Sequence, residues 1–241
     1  MATMTLTSSQ QSTARNRAVA TAELAYKNAA GLHYSQDMAK RWYGISQHKD
    51  ASKGQWPSYA DCSGLVTWCI WNAVFLPYGM EDIVNGQNWA AGYTGTMLGK
   101  GTSVKATEMI AGDAIIYGSG GTGKHTAICV GKSGSTPMVI SHGSESGPHY
   151  YAYNYRSDIQ SCRRYIDGKP HAATNPPNPP PPPEDAVALT AILKQDGRIE
   201  LFVQKDNGSV MHTWQKEKNG SWAGSGEGKN ASWYGLGNPG K

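Results

Sequence analysis

Residues 61–66, with the sequence DCSGLV, place a cysteine at the predicted start of a helix. Apolar side chains recur at helical spacing over residues 62–76, and Leu65 and Val66 fall on one face. A helix N-terminus lowers a cysteine pKa through its free N–H groups and dipole, and the same groups can stabilise an oxyanion. Cys62 is therefore a candidate nucleophile. The alternative is a buried structural cysteine, because Cys62 shares its helical face with Leu65 and Val66.

A candidate base lies further along the chain, where two strand-like runs, 125–130 and 137–142, each contain a histidine. If the hairpin between them is symmetric about Ser133 and Gly134, His125 directly faces His142, and opposed residues project to the same side of a sheet. The pattern then predicts that the nucleophile helix packs on that side. One imidazole can take the thiol proton while the other orients it.

The orienting role depends on this register, because a slip of one residue would put the two histidines on opposite faces. Glu145 and His149 lie just beyond the second strand and are the rivals for the role.

The rest of the first 172 residues predicts an α+β layout. Residues 13–30 carry a helical pattern before the nucleophile helix, and strand-like runs at 113–117 and 162–166 flank the hairpin strands. Helices first and antiparallel strands later are typical of α+β folds, with helices packed on an antiparallel sheet.

These residues resemble the NlpC family of cell-wall cysteine peptidases. The resemblance rests on residues 61–64 (DCSG), 112–116 (GDAII), 125–128 (HTAI) and the later His142, in that order. It implies a papain-like fold, with the cysteine of the first block as nucleophile, the histidine of the third as base, and His142 as the orienting group.

The resemblance also implies residues that contact the substrate. Residues 31–34 (GLHY) are similar to an upstream segment of the family whose tyrosine lines the active site, which makes Tyr34 a candidate. Asp61, Ser63 and Gly64 flank the nucleophile, and we expect Gly64 to let a substrate approach closely. The segment between Tyr34 and the nucleophile is longer than in the family.

Two further segments, 141–148 (SHGSESGP) and 155–158 (YRSD), resemble peptidase domains of phage endolysins that attack actinobacteria. The expected partner is therefore peptidoglycan of a bacterial wall. The N-terminus has no basic segment followed by an apolar run, so we expect no signal peptide. The expected localisation is the host cytoplasm, with action on the wall after release. No apolar run reaches about 18 residues, so membrane insertion is not expected.

Other classes of function find little support in the composition. A net charge of +4 is too small to indicate nucleic-acid binding. The four cysteines fit no metal-binding spacing, so we expect no metal and no cofactor. Residues 118–125 (GSGGTGKH) nearly match a phosphate-binding loop, but His125 replaces the required hydroxyl and a strand follows instead of a helix. Nucleotide binding is not predicted.

A proline-rich stretch divides the chain into a peptidase domain at 1–172, a semi-rigid linker at 173–185 and a small all-β segment at 186–241. Asp-Gly and Asn-Gly pairs between alternating apolar residues predict hairpins in the last segment. It resembles one blade of a tectonin-like or fucose-lectin-type propeller. The segment carries three candidate carbohydrate-binding residues: Trp214, Trp222 and Trp233.

A propeller needs about 4–8 blades, so self-association through this segment is one expectation. A structural appendage is the alternative.

The predicted function is a peptidoglycan endopeptidase that cleaves a stem-peptide bond, between D-glutamate and the diamino acid as the resemblance implies. Two alternatives stay open. One is an N-acetylmuramoyl-L-alanine amidase with the same cysteine and histidine. The other is a wall-binding protein without catalytic activity.

Overall fold

The computed structural model of the protein describes residues 3–120, 122–143, 147–172, 185–195, 198–215, 223 and 234–237. The chain divides into two compact units, Met1–Ala173 and Thr174–Lys241. The first contains helices packed on an antiparallel sheet, and the second is all β in its described part. The α+β prediction, with an additional small all-β segment, is confirmed.

The helices of the first unit gather towards its N-terminal half. The longest, α1 (Ser8–Lys27), begins at a capping box in which Thr7 and Gln10 exchange side-chain-to-backbone hydrogen bonds. Its buried face consists mainly of alanines, which allow close packing. The other α-helices are α2 (Tyr43–Ser46), α3 (Cys62–Ile70), α4 (Leu76–Tyr78) and α5 (Thr94–Leu98). Three short 3₁₀ turns lie at Ala29–Gly31, Ala51–Lys53 and Ala106–Glu108.

The helix that carries the candidate nucleophile is central to the unit. All nine residues of α3 are buried, and it continues through a π-helical turn, Trp71–Phe75, into α4. The predicted helix at 62–76 therefore corresponds to three consecutive helical pieces. No helix in the described part of the chain is long and apolar enough to cross a membrane.

The main sheet has six antiparallel strands in the order β4-β9-β5-β6-β7-β8. They are β4 (Thr102–Val104), β5 (Ala114–Tyr117), β6 (His125–Ser133), β7 (Thr136–Ser141), β8 (His149–Ala152) and β9 (Ile159–Arg164). Two small ladders complete the unit: β1 (Thr3–Met4) with β10 (His171–Ala172), antiparallel, and β2 (His33–Tyr34) with β3 (Tyr59–Ala60), parallel.

The register of the β6–β7 hairpin differs from the predicted one. Ala127 pairs with Ser141, not with Ile140, so the symmetric register was wrong by one residue. The two-residue turn begins at Gly134, which has φ of 60°, and the register then shifts at a bulge between Cys129 and Gly131. A bulge adds one residue to one strand, and its position is not visible in an apolar pattern.

This register also reverses the expected faces of the hairpin. Ile128 and Ile140 belong to the core cluster that includes Leu65 and Val66 of α3. Ala127 lies in a second cluster on the other side of the sheet, with Cys129 and Val139. The prediction that the His125 face packs against the nucleophile helix is therefore wrong.

The second unit contains a four-stranded antiparallel sheet in the order β11-β12-β13-β14. Its strands are Ala186–Leu193, Ile199–Lys205, Val210–Trp214 and Tyr234–Gly237. One face buries Leu201, Val203 and Thr213. The opposite face of β12 and β13 carries a strip of aromatic rings, in which His212 lies between Phe202 and Trp214, with centroid distances of 5.7 and 5.0 Å. Trp222 and Trp233 lie outside the described residues.

Candidate active site

Cys62 is the first residue of α3, and its position is set by the N-cap residue Asp61. The Asp61 carboxylate accepts the Gly64 N–H at 2.6 Å, which satisfies a donor that the helix start leaves open. The backbone N–H groups of Thr126 and Ser63 lie near the Cys62 thiol and favour its ionised form. Because Thr126 follows His125, the candidate nucleophile lies near the start of β6, the strand that begins with the candidate base.

The environment of the thiol favours its protonated form. Cys62 is only 5% exposed. Burial, and after it the charge of Asp61, raise the pKa of Cys62 to about 12, although the Thr126 and Ser63 N–H groups lower it. Burial thus outweighs the lowering that the helix start predicts. At neutral pH the resting thiol needs a base to become a nucleophile.

A buried ion pair fixes the start of the nucleophile helix. Arg41 Nη2 lies 2.7 Å from Asp61 Oδ2 and donates to the Ser63 hydroxyl at 2.6 Å and to the Gly92 carbonyl at 3.1 Å. The Ser63 hydroxyl in turn donates to Asp61 Oδ1 at 3.0 Å. Asp61 and Ser63 line the same cleft as Cys62. No local sequence pattern points to Arg41, because its partners are distant in the chain.

Gly64 has a different role from the predicted one. A Cβ at this position would lie 2.5 Å from the Arg41 carbonyl oxygen. Gly64 does not contribute to the cleft that Cys62 lines. Glycine at this position therefore allows α3 to pack against the backbone of Arg41. Close approach of a substrate is not the reason for the glycine.

Tyr34 lies beside the candidate nucleophile. Its hydroxyl contacts the Cys62 thiol and accepts a hydrogen bond from Gln36 Nε2 at 3.1 Å. Burial, with the neighbouring Cys62, raises the pKa of Tyr34 to about 12. The Tyr34 ring packs edge-on against His142, with centroids 5.4 Å apart. The structure thus brings together Tyr34 and Cys62, which the resemblance assigns to one site.

His125 is the first residue of β6, and its ring is held by neighbours from two other strands. Nε2 lies 2.7 Å from the Ser141 hydroxyl oxygen in β7, and that oxygen lies 2.9 Å from the Tyr155 hydroxyl. The Tyr117 ring in β5 stacks on the imidazole, with centroids 6.0 Å apart. Ser141 and Tyr155 were absent from the predicted site, although the correct register would have revealed Ser141.

His142 does not occupy the predicted position opposite His125. It follows Ser141 in the chain, so its side chain lies on the other face of the sheet. It is fully buried there, against Tyr34. Among the rivals, Glu145 lies outside the described residues, and His149 pairs with Ser141 in β8.

The cleft has two adjoining parts that share Gln36 and Lys124. Cys62 lines one part, and His125 lines the other together with Ser141, Tyr155 and Arg156. The described residues contain no cluster of three or more His, Cys, Asp or Glu side chains that could hold a metal ion. The arrangement offers a thiol, an imidazole and backbone donors, the groups that nucleophilic acyl transfer requires.

Asp113, in the GDAII block of the family resemblance, lies away from this cleft. Its carboxylate is fully buried and pairs with Arg15 of α1 at 3.2 Å and with Arg164 of β9 at 2.8 Å. It also accepts the Ile110 N–H at 2.9 Å. Asp113 therefore ties α1 to the central sheet and has a structural role.

No family model matches the chain, and no curated protein matches it. Among solved structures it is similar to the NlpC/p60 domain of the peptidoglycan hydrolase SagA, at 22% identity and a TM-score of 0.39, over 61% of this chain and 97% of that one. It is also similar to the P60 domain of an antigen from M. avium subspecies paratuberculosis, at 16% identity and a TM-score of 0.40, over 64% of this chain and 98% of that one. A third is the resuscitation promoting factor interacting protein RipA, at 18% identity and a TM-score of 0.37, over 63% of this chain and 65% of that one.

Proposed function

We propose that this protein is a cysteine peptidase that hydrolyses an amide bond in the peptide stem of bacterial peptidoglycan. The observation that carries the proposal is the position of the Cys62 thiol, at a helix start and against the N–H that follows His125. Tyr34 contacts the same thiol. The substrate class follows from the resemblance of residues 61–64, 112–116 and 125–128 to cell-wall peptidases.

In the proposed mechanism, His125 takes the proton of the Cys62 thiol as the sulfur attacks the carbonyl carbon of the scissile amide. Backbone N–H groups at the start of α3 stabilise the oxyanion of the tetrahedral intermediate. The imidazolium then protonates the leaving amine, and an acyl-enzyme remains on sulfur. A water molecule, deprotonated by His125, attacks the thioester and releases the carboxylate product together with the free thiol.

We propose the bond between D-glutamate and the diamino acid as the site of cleavage. The cleft supports an anionic substrate, because the exposed Lys124 borders both of its parts and forms no ion pair with another described residue. A stem peptide carries free carboxylates, which an ammonium group attracts.

Mass spectrometry of digested peptidoglycan tests this proposal. A new amine on the diamino acid supports the endopeptidase. A free lactyl end on muramic acid would instead identify an N-acetylmuramoyl-L-alanine amidase. If the protein binds walls but releases no new amine, it is a wall-binding protein and the enzymatic proposal fails.

We further propose that the protein is a phage endolysin whose second unit holds the wall. The phage origin rests on the resemblance of segments 141–148 and 155–158. The carbohydrate role is supported by the aromatic strip that includes Trp214, because flat rings stack on sugars. Sedimentation with purified walls tests the second role: Trp214→Ala should reduce the bound fraction, whereas Trp56→Ala, in the first unit, should not.

A further inference from the structure

We propose that the hydroxyl groups of Ser141 and Tyr155 form the relay that orients His125 in this active site. This inference rests on the proposed function, since it assigns a role to neighbours of the proposed base. It replaces the expectation that His142 performs the orienting.

The geometry of the relay supports a positioning role. His125 Nε2 lies 2.7 Å from the Ser141 hydroxyl oxygen, which lies 2.9 Å from the Tyr155 hydroxyl. Both distances are those of good hydrogen bonds. Ser141 is 1% exposed, and its backbone is paired with Ala127 of β6. Because Ala127 and His125 share a face, the Ser141 hydroxyl is presented diagonally to the imidazole by the sheet itself.

Further aromatic contacts hold both ends of the relay. The Tyr155 ring stacks on Tyr151, with centroids 4.4 Å apart, and meets Tyr117 edge-on at 5.3 Å. Tyr117 also stacks on the imidazole and is anchored by a hydrogen bond from its hydroxyl to the Tyr153 carbonyl at 2.6 Å. The plane of the His125 ring and the direction of its Nε2 are therefore set by contacts from β5, β7 and the segment after β8.

The chemistry of this arrangement assigns the two ring nitrogens. In the proposed relay we assign the Nε2–H as the donor to the Ser141 oxygen and direct the Ser141 hydrogen to the Tyr155 oxygen. This selects the tautomer in which Nδ1 carries the lone pair and can accept the thiol proton. A hydroxyl relay keeps this tautomer, and it accepts the same hydrogen bond after the ring is protonated.

His142 takes a different place in this scheme. It lies on the opposite sheet face and packs against Tyr34, which contacts the Cys62 thiol. Through its packing on Tyr34, His142 therefore lies next to the nucleophile Cys62. The sequence could not distinguish the two roles, because Ser141 and His142 are adjacent and a one-residue register difference exchanges their faces.

Steady-state kinetics on a soluble stem-peptide fragment test the relay. Ser141→Ala should lower kcat by about 10- to 100-fold, part of the usual contribution of a positioned base, with KM changed by less than about twofold. Ser141→Thr keeps the hydroxyl and should recover most of kcat. Tyr155→Phe removes only the second hydroxyl and should give a smaller loss of kcat. The matched controls are Ser133→Ala, at the exposed end of the same hairpin, and Tyr78→Phe, on α4.

Alkylation of Cys62 by iodoacetamide, measured by peptide mapping, tests the relay without a wall substrate. Ser141→Ala and Tyr155→Phe should slow alkylation of Cys62 at neutral pH, and Ser141→Thr should restore it. If the wild type does not hydrolyse the fragment but these alkylation rates change as stated, the proposed substrate fails and the relay stands. The relay would be overturned if folded Ser141→Ala or Tyr155→Phe showed the wild-type kcat and the wild-type rate of alkylation. It would also be overturned if Glu145→Gln or His142→Ala lost activity while Ser141→Ala did not.

Discussion

The Cys62 thiol lies near the backbone N–H of Thr126, the residue after His125, and this N–H favours the thiolate. A buried thiol at a helix start therefore lies near the start of the strand that carries a histidine. Because the thiol is protonated in this environment, its reactivity depends on that histidine.

The first prediction concerns this dependence. Burial raises the pKa of Cys62 to about 12, so without a base its thiolate fraction is on the order of 10⁻⁵ at pH 7. His125→Ala should therefore slow alkylation of Cys62 strongly at pH 7, and the rate should rise with pH up to the raised pKa. Alkylation reactions quenched at fixed times between pH 6 and 11 measure this rate. His149→Ala is the control, and equal rates at pH 7 in wild type and His125→Ala would count against His125 as the base.

A second prediction concerns the packing of α3. In Gly64→Ala the new methyl group would meet the Arg41 carbonyl oxygen at 2.5 Å, so the helix start must shift. We expect a loss of about 1–3 kcal/mol in the free energy of unfolding, together with lower activity.

The matched control is Gly99→Ala, at the end of α5. It has φ of −82° and its nearest non-neighbouring atom would lie 3.6 Å from the new Cβ, so the substitution should be tolerated. Urea unfolding compares the two variants. Equal stability would show that the close approach at Gly64 is not a constraint.

A third prediction concerns the buried carboxylate of Asp113. Asp113→Ala leaves Arg15 and Arg164 without their shared partner. Because breaking a buried ion pair leaves charge uncompensated, we expect the free energy of unfolding to fall by about 3–5 kcal/mol. Asp37→Ala removes a carboxylate that lies 3.9 Å from Lys40 and is half exposed, and it should change stability little. A similar effect of both substitutions on the urea midpoint would refute the structural role of Asp113.

Much of this site could be predicted from the sequence, because it rests on local signals. The helix start at Cys62 follows from Asp61 as an N-cap and an apolar period of 3.6. The strand that begins at His125 follows from its apolar run. Both elements occur close to where the sequence placed them.

The relations between elements could not be predicted in the same way. The β6–β7 register depends on a bulge near Gly131, which leaves no mark in the apolar pattern. For that reason Ser141, and not His142, meets the imidazole. Arg41 was missed because its partners, Asp61 and Gly92, become its neighbours only in the folded chain.

A fourth prediction concerns stability at alkaline pH. Burial raises the pKa of Cys129 to about 11 and, with the nearby Asp113, that of Cys162 to about 12. In the unfolded chain a thiol titrates near 8.5, so the unfolded state loses protons first as the pH rises. The stabilisation from the protonated thiols is present below about pH 8.5 and is lost between there and the raised values. Urea unfolding at pH 7, 9 and 10 should show falling stability, and a constant free energy of unfolding would contradict this.

The central claim is that Cys62 is the nucleophile of a peptidoglycan peptidase, and release of new amine groups from purified walls tests it most directly. The wild type should release amines. Cys62→Ser should fold and bind walls but release none, because a hydroxyl is a far poorer nucleophile than a thiolate without a stronger base. Cys162→Ser, which removes a thiol on the other side of the sheet, should remain active. Amine release by Cys62→Ser at the wild-type rate would contradict the account.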